Sequence, residues 1–250
     1  MSTRILVLQP DASDPPGRLG DWLIEAGADV DVRALPDDSV PRDLDGYQAL
    51  VCLGGAMNVE DEEQYPWLAA VRRLLARATS QNVPTLGVCL GAQLLAVANG
   101  GRVVPGPRGP EVGPELVAKK DAAWVDPLFA DLPLMQDVLQ FHTHVVDQLP
   151  ARAQLLASAP RYPHQAFRVN RCAYGIQFHI ETTPDIVRRW AANSPDTAAA
   201  AREGAFEDTT LAAVHTDVAE TWRPFAHRFV RLAAGDLEPA AEDQRRLPLA

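Results

Sequence analysis

The sequence predicts an α/β fold in three layers, a mostly parallel central sheet with helices on both faces. Two observations carry this. Short apolar, β-branched runs alternate with stretches of helical period from Arg4 to Gly101. Glycines punctuate the junctions at Gly27, Gly54-Gly55 and Gly100-Gly101. Length allows the class, since 250 residues suffice for one large α/β domain or two small ones.

Arg4–Leu8 is a short aliphatic run closed by Gln9-Pro10 and is expected to form a buried first strand. Leu19, Trp22, Leu23 and Ala26 follow at helical spacing, with Gly27 as the stop. Val30–Val32 is a second strand and Tyr47–Leu53 a third. In Trp67–Ala78, the residues Leu68, Val71, Leu74, Leu75 and Ala78 share one face of a helix. Pro84–Val88 is a brief strand and Ala92–Asn99 a helix. The acidic run Glu60–Glu63 reads as a helix start. From Val103 to Val138 Pro and Gly are dense and helical period is poor. Loops, a hairpin and one short helix near Pro127–Leu132 are expected there. Strands return at Asp137–Phe141, Gln154–Ala157, Ala166–Val169 and Ala173–Phe178. Pro184–Ala192 is a helix with Thr183 as its cap. Residues 195–234 carry Leu211 to Leu232 at helical steps, one or two helices packed on the body, and a frayed tail follows Gly235. The organisation expected is therefore a body of residues 1–194 and a helical extension and tail of residues 195–250.

Composition limits the functions available. Apolar residues at 47% and charged residues at 22% exclude wholesale disorder. The net charge of −10 argues against a nucleic-acid-binding surface. No apolar run approaches the roughly 20 residues of a membrane span, and no signal-peptide core is present. Cys52, Cys89 and Cys172 cannot all pair within the chain, so a reduced, cytoplasmic, soluble protein is expected. No spacing of His and Cys suggests a metal site, and no cofactor is implied.

The segment Gly87-Val88-Cys89-Leu90-Gly91-Ala92-Gln93 carries the most chemistry. A strand runs into a cysteine flanked by glycines and a helix starts at once, a sharp elbow that small neighbours permit. The positive end of the helix favours a thiolate, and the Leu90 N–H is aimed to stabilise an oxyanion. Taken alone, Cys89 reads more readily as a small buried hydrophobe than as a nucleophile. A thiol nucleophile needs a base, and the base an orienting group. Among six histidines, His179 ends a strong strand and has Glu181 two residues on, on the same face of extended chain. The plain alternative is an exposed polar pair. His215 and His227 read as residues of a solvated helix face, and His164 as a loop residue without an evident partner. Cys52 and Cys172 read as buried structural thiols.

Together, Gly87–Gln93 and Gly175-Ile176-Gln177-Phe178-His179-Ile180-Glu181 resemble the two signatures of the class I (triad) glutamine amidotransferases. Cys89 and His179 stand 90 residues apart, as that pattern asks. Leu53-Gly54-Gly55 resembles the oxyanion-loop glycines of the family. The Glu62–Leu68 run and Gln165-Ala166-Phe167-Arg168 are similar to stand-alone members akin to the glutaminase part of GMP synthase. The resemblance spans residues 3–192 and implies a flavodoxin-like fold. It also implies Cys89 as nucleophile, His179 as acid and base, and Glu181 as the residue orienting His179. Gly55 and Leu90 would supply oxyanion N–H groups, and Gly54, Gln93, Thr143 and His144 would line the substrate. The family's Gly-Asp after its Ser/Trp-His is here Val145-Val146, and the Pro-rich 105–114 replaces a more regular stretch.

Three functions remain open. One is hydrolysis of the glutamine side-chain amide, with ammonia passed to an unknown acceptor, for which a separate synthase subunit would be the partner. A second is a γ-glutamyl hydrolase or peptidase acting on another γ-glutamyl compound. The third is a non-catalytic regulatory subunit, disfavoured because Cys89, His179 and Glu181 are all retained.

Overall fold

The computed structural model describes residues 2–241. The elements run β1 (Thr3–Gln9), α1 (Gly17–Glu25), β2 (Ala28–Ala34), β3 (Ala49–Cys52), α2 (Trp67–Ser80), β4 (Thr85–Val88) and α3 (Leu90–Ala98). There follow β5 (Arg102–Pro105), β6 (Glu111–Lys119), β7 (Met135–His142), β8 (His144–Gln148), β9 (Ala153–Ser158), β10 (Ala166–Val169) and β11 (Ala173–Ile176). Helices α4 (Pro184–Asn193), α5 (Pro195–Ala198) and α6 (Asp208–Ala234) close the described chain.

Nine strands form one sheet in the order β2-β1-β3-β4-β11-β10-β9-β6-β7. The first five are parallel to one another, and only β10 and β6 run against the rest of the sheet. β5 and β8 make a separate two-stranded ribbon. The α/β expectation holds, because strands covered on both faces must be apolar at every position. β1 makes the point: Ile5 and Val7 enter the core under α1 and α6, while Leu6 and Leu8 enter the core under α2 and α3. The alternation of strand side chains thus feeds two apolar layers from one short run.

Several local expectations are corrected. The stretch expected as loops and a hairpin contains the nine-residue strand β6, which runs through Gly113-Pro114. A single 3₁₀ turn lies at Asp121–Val125, and Pro127–Leu132 forms turns rather than a helix. Glu60–Glu63 is not helical either, with Glu60, Glu62 and Glu63 in turns. Helix α2 begins only at Trp67, after Pro66, and Glu62 forms an ion pair with Arg72 inside it. Thr183 caps α4 as expected, its hydroxyl accepting the Ile186 N–H at 3.4 Å. Residues 195–234 give one short and one 27-residue helix. After Gly235 the Ala240 N–H and carbonyl bond to Arg171, at 3.1 and 3.0 Å, so the first part of the expected tail is tied down. Its remainder, 242–250, lies outside the described residues.

His215 corrects another expectation. It is buried on the inner face of α6, with Nε2 3.1 Å from the Thr182 hydroxyl and Nδ1 2.7 Å from the Leu211 carbonyl. Burial holds its imidazolium below the ordinary range. His164 has a partner as well, the Val146 carbonyl at 2.8 Å. No helix among the described residues is long and apolar enough to cross a membrane.

Candidate active site

The site forms at the carboxyl ends of the parallel strands, where open α/β sheets place ligands. β4 delivers Cys89, β3 delivers Gly54 and Gly55, β1 delivers the loop Asp11–Asp14, and β11 delivers His179.

Cys89 occupies the elbow between β4 and α3 with φ +49° and ψ −106°, a backbone conformation that costs a non-glycine residue about 1–3 kcal/mol. Its N–H is held by the Ile176 carbonyl at 2.8 Å and its carbonyl by the Gln93 N–H at 3.0 Å. The flanking glycines are required by contact. A Cβ on Gly91 would lie 2.0 Å from the Cys52 carbonyl oxygen, and one on Gly87 would lie 2.5 Å from the Gly91 carbonyl. The elbow therefore fits only because backbone packs on backbone at both positions.

His179 is fixed from three sides. Its N–H donates to the Leu139 carbonyl at 2.8 Å, so the curled sheet edge β7 meets the segment beyond β11. Its Nδ1 is 2.5 Å from Glu181 Oε1, and its ring lies 4.5 Å from that of Trp190. Glu181 is fully buried behind it, and its second oxygen accepts the Ile180 N–H at 2.9 Å. Burial alone would raise the Glu181 carboxyl, but the His179 charge and hydrogen bond hold it below its ordinary range. Burial alone would lower the His179 imidazolium, yet the charges of Glu181 and Cys89 carry it well above its ordinary value. Such a pair favours the imidazolium form of His179 beside Cys89.

Cys89, His179, Gly55, Gln93, Thr143 and His144 all line one cavity of about 390 Å³. Gly54 stands behind the wall. A Cβ there would lie 2.3 Å from Asp14 Oδ2 and 3.2 Å from His179 Cε1. Leu90 is buried immediately after Cys89, with Cδ2 3.2 Å from where a Gly55 side chain would start. Gln93 Nε2 donates to the His144 carbonyl at 2.9 Å and to Gln177 Oε1 at 3.2 Å, and Gln177 Nε2 reaches Cys89 Sγ at 3.8 Å. Val145 and Val146, which replace Gly-Asp, are buried and are not part of the cavity lining. Cys52 and Cys172 are buried and free, and burial pushes their thiols up to about 12 and about 11.

Sequence reading missed part of the wall. Trp190, Asn193, Ser194 and Thr197 enter from α4 and α5, and Trp190 Nε1 donates to the Ser13 carbonyl at 2.8 Å. Asp11 and Asp14 enter from the β1–α1 loop. Their one legible signal was position, since that loop leaves the same end of the sheet as the elbow. Asp14 is buried, and neither of its carboxylate oxygens accepts a hydrogen bond from a described residue. Burial, reinforced by the Glu181 charge, holds its carboxyl well above the usual range. Among the described residues, Asp14, His179 and Glu181 are the group of three metal-capable side chains whose ligand atoms lie within 4.8 Å of one another.

The sequence profile of the glutamine amidotransferase class-I family matches residues 19–188, a span that holds the elbow, the glycine loop and the His179 strand. The chain belongs to the class I glutamine amidotransferases. A glutamine-hydrolyzing GMP synthase subunit from Thermoplasma acidophilum is 32% identical over 162 residues, 64% of this chain and 76% of that one. A γ-glutamyl peptidase 4 from Arabidopsis thaliana is 27% identical over 66% of this chain and 66% of its own. The crystal structure of a glutamine amidotransferase from Thermotoga maritima aligns with a TM-score of 0.81 at 28% identity, covering 92% of this chain and 99% of that one. These relatives include an amidotransferase and a peptidase, so the likeness leaves the substrate open.

Proposed function

We propose that this class I member hydrolyses the γ-amide of glutamine through a cysteine thioester, with Cys89, His179 and Glu181 as its triad. The observation that carries the reading is the strained Cys89 elbow sharing a cavity with His179, whose far nitrogen is 2.5 Å from Glu181. The Cys89 thiolate attacks the amide carbon, and the oxyanion is met by the Gly55 and Leu90 N–H groups. Each such donor is worth about 10²–10³ in rate where it has been removed. Imidazolium at His179 gives its proton to the departing nitrogen as the C–N bond breaks. Neutral His179 then takes a proton from water, which attacks the thioester. The C–S bond breaks, and glutamate leaves with the Cys89 thiolate and His179 imidazolium restored. Gln93, Thr143 and His144 shape the glutamine end, with Gln93 holding the His144 carbonyl in place and Gly54 backing the wall beside Asp14 and His179.

A second reading has its own support. The cavity is of a size that takes drug-sized ligands, and an aromatic pair, Phe141 and Trp190 at 5.6 Å, forms part of its wall. A γ-glutamyl compound with an apolar leaving group would use that wall. Similarity to a γ-glutamyl peptidase supports the same alternative. For the first reading, the partner would be a separate synthase chain that consumes the ammonia, by analogy with the similar GMP synthase subunit.

Ammonia release from glutamine and amine release from a panel of γ-glutamyl dipeptides, by the isolated chain, separate the two. Cys89→Ala is expected to lower turnover of either substrate by at least about 10³-fold and to abolish labelling by a glutamine-analogue electrophile. Undiminished turnover in Cys89→Ala would overturn the triad.

A further inference from the structure

Asp14 is a carboxyl placed where a carboxylate is costly. It is 2% exposed, and neither oxygen accepts a hydrogen bond from a described residue. Its ligand atom lies within 4.8 Å of those of His179 and Glu181. The titratable groups around it come from four elements: Asp11 on its own loop, Cys52 on β3, Cys89 at the elbow, and His179 with Glu181 beyond β11. Arg18, the cation at the start of α1, is engaged with the His215 carbonyl at 2.5 Å. No cation among the described residues is therefore left in this shell to balance a second carboxylate except His179 itself, and His179 Nδ1 is directed at Glu181.

Two buried carboxylates this close cannot both ionise cheaply, so one carries a proton. Hydrogen bonding decides which. Glu181 accepts from His179 and from the Ile180 N–H, both of which favour its charge, whereas Asp14 accepts nothing from a described residue. His179 Nδ1 and Glu181 Oε1 stand 2.5 Å apart, the separation of a direct hydrogen bond.

We propose that Asp14 is a positioning residue: held as the neutral acid, it donates its O–H to Glu181 and fixes how strongly Glu181 binds imidazolium at His179. Glu181 is thereby given a third hydrogen bond, and its charge is shared between Asp14 and His179. The proton on Asp14 links the basicity of His179 to a group that never touches the reacting bond. When Asp14 ionises, a second negative charge falls beside His179, and the imidazolium becomes harder to deprotonate. Gly54 is part of the same device, because any side chain there would enter the space of the Asp14 carboxyl and the His179 ring.

The proposal rests on the triad reading, but its first test is independent of substrate. Infrared difference spectra of the wild-type chain against Asp14→Asn at pH 7 are expected to contain the C=O stretch of a protonated carboxylic acid. Absence of that band at neutral pH overturns the proposal, whatever the activity. In Glu181→Gln the midpoint at which the band is lost is expected to fall by roughly one pH unit or more, because the neighbouring charge is gone. An unchanged midpoint overturns the coupling. Alkylation of Cys89 by iodoacetamide, followed by mass across pH, is expected to show an extra alkaline step in the wild type that Asp14→Asn lacks. Superimposable profiles would show a merely structural carboxyl. If Cys89→Ala kept full turnover while the acid band was present, the triad reading would fall and the Asp14–Glu181 pair would stand.

Discussion

Cys89 at φ +49° and Asp14 without a donor among the described residues are both locally unfavourable, and both sit at the same cavity. Strain of this kind persists only where the surroundings impose it. The Asp14 carboxyl makes the cost measurable. In the unfolded chain it ionises near the ordinary value of about 3.9, whereas in the folded chain burial and Glu181 hold it well above that. The folded state therefore binds more protons above about pH 4, and stability from this group is lost as pH rises from there toward the folded value. Asp14→Asn removes that loss. Its melting temperature is expected to exceed that of the wild type at pH 7, with the gap closing below about pH 4. A gap unchanged at pH 3 would show that titration is not its cause. At this scale the sequence was informative for Cys89, His179 and Glu181, because motif spacing along a chain is visible in one dimension. Asp14 was not visible, since a short Asp-rich loop looks like any solvated turn until its burial is known.

The elbow between β4 and α3 depends on what surrounds it more than on its own preferences. Alanine would improve α3 at position 91 by up to about 1 kcal/mol on helix propensity. Its Cβ would however stand 2.0 Å from the Cys52 carbonyl on β3, a rigid backbone neighbour. Overpacking typically costs about 1–3 kcal/mol, and a backbone clash falls at or beyond the upper end. Gly91→Ala is thus expected to be destabilising by about 2 kcal/mol or more, read from the urea midpoint at constant m-value. An unchanged midpoint would contradict the close approach of α3 to β3. Element-level legibility followed the same logic. Strands β1, β3 and β4 were readable because burial on both faces forces a continuous apolar run. β6 was not, because Gly113-Pro114 normally argues against a strand. Pro114 is tolerated because β6 pairs with β7 along its length but with β9 only at Ala118 and Lys119, so its other edge is open at Pro114.

Across the molecule, α6 joins the site to the far side of the core. Trp222 is fully buried, donates Nε1–H to the Asp137 carbonyl at 3.0 Å, and packs 5.0 Å from Phe178, the residue before His179. His215, about two turns upstream on the same helix, bonds Thr182, the residue after Glu181. α6 thus supports both ends of the His179–Glu181 segment. Trp222→Ala is expected to cost about 3–5 kcal/mol, as large-to-small core changes do, and to slow Cys89 alkylation in the fraction that stays folded. A variant with wild-type stability would show that α6 is not part of the core. By itself the sequence determined the α/β class and the order of the elbow and the His179 strand, which follow from hydrophobic period and position along the chain, and the family through the resemblance of two segments to its signatures. Tertiary structure alone decided that Asp14 lies beside Glu181, that Trp190 walls the cavity, and that Val145 and Val146 are buried outside its lining. Each of those depends on which side chains different strands bring together at the end of the sheet, and that pairing is set by packing between elements distant in the chain.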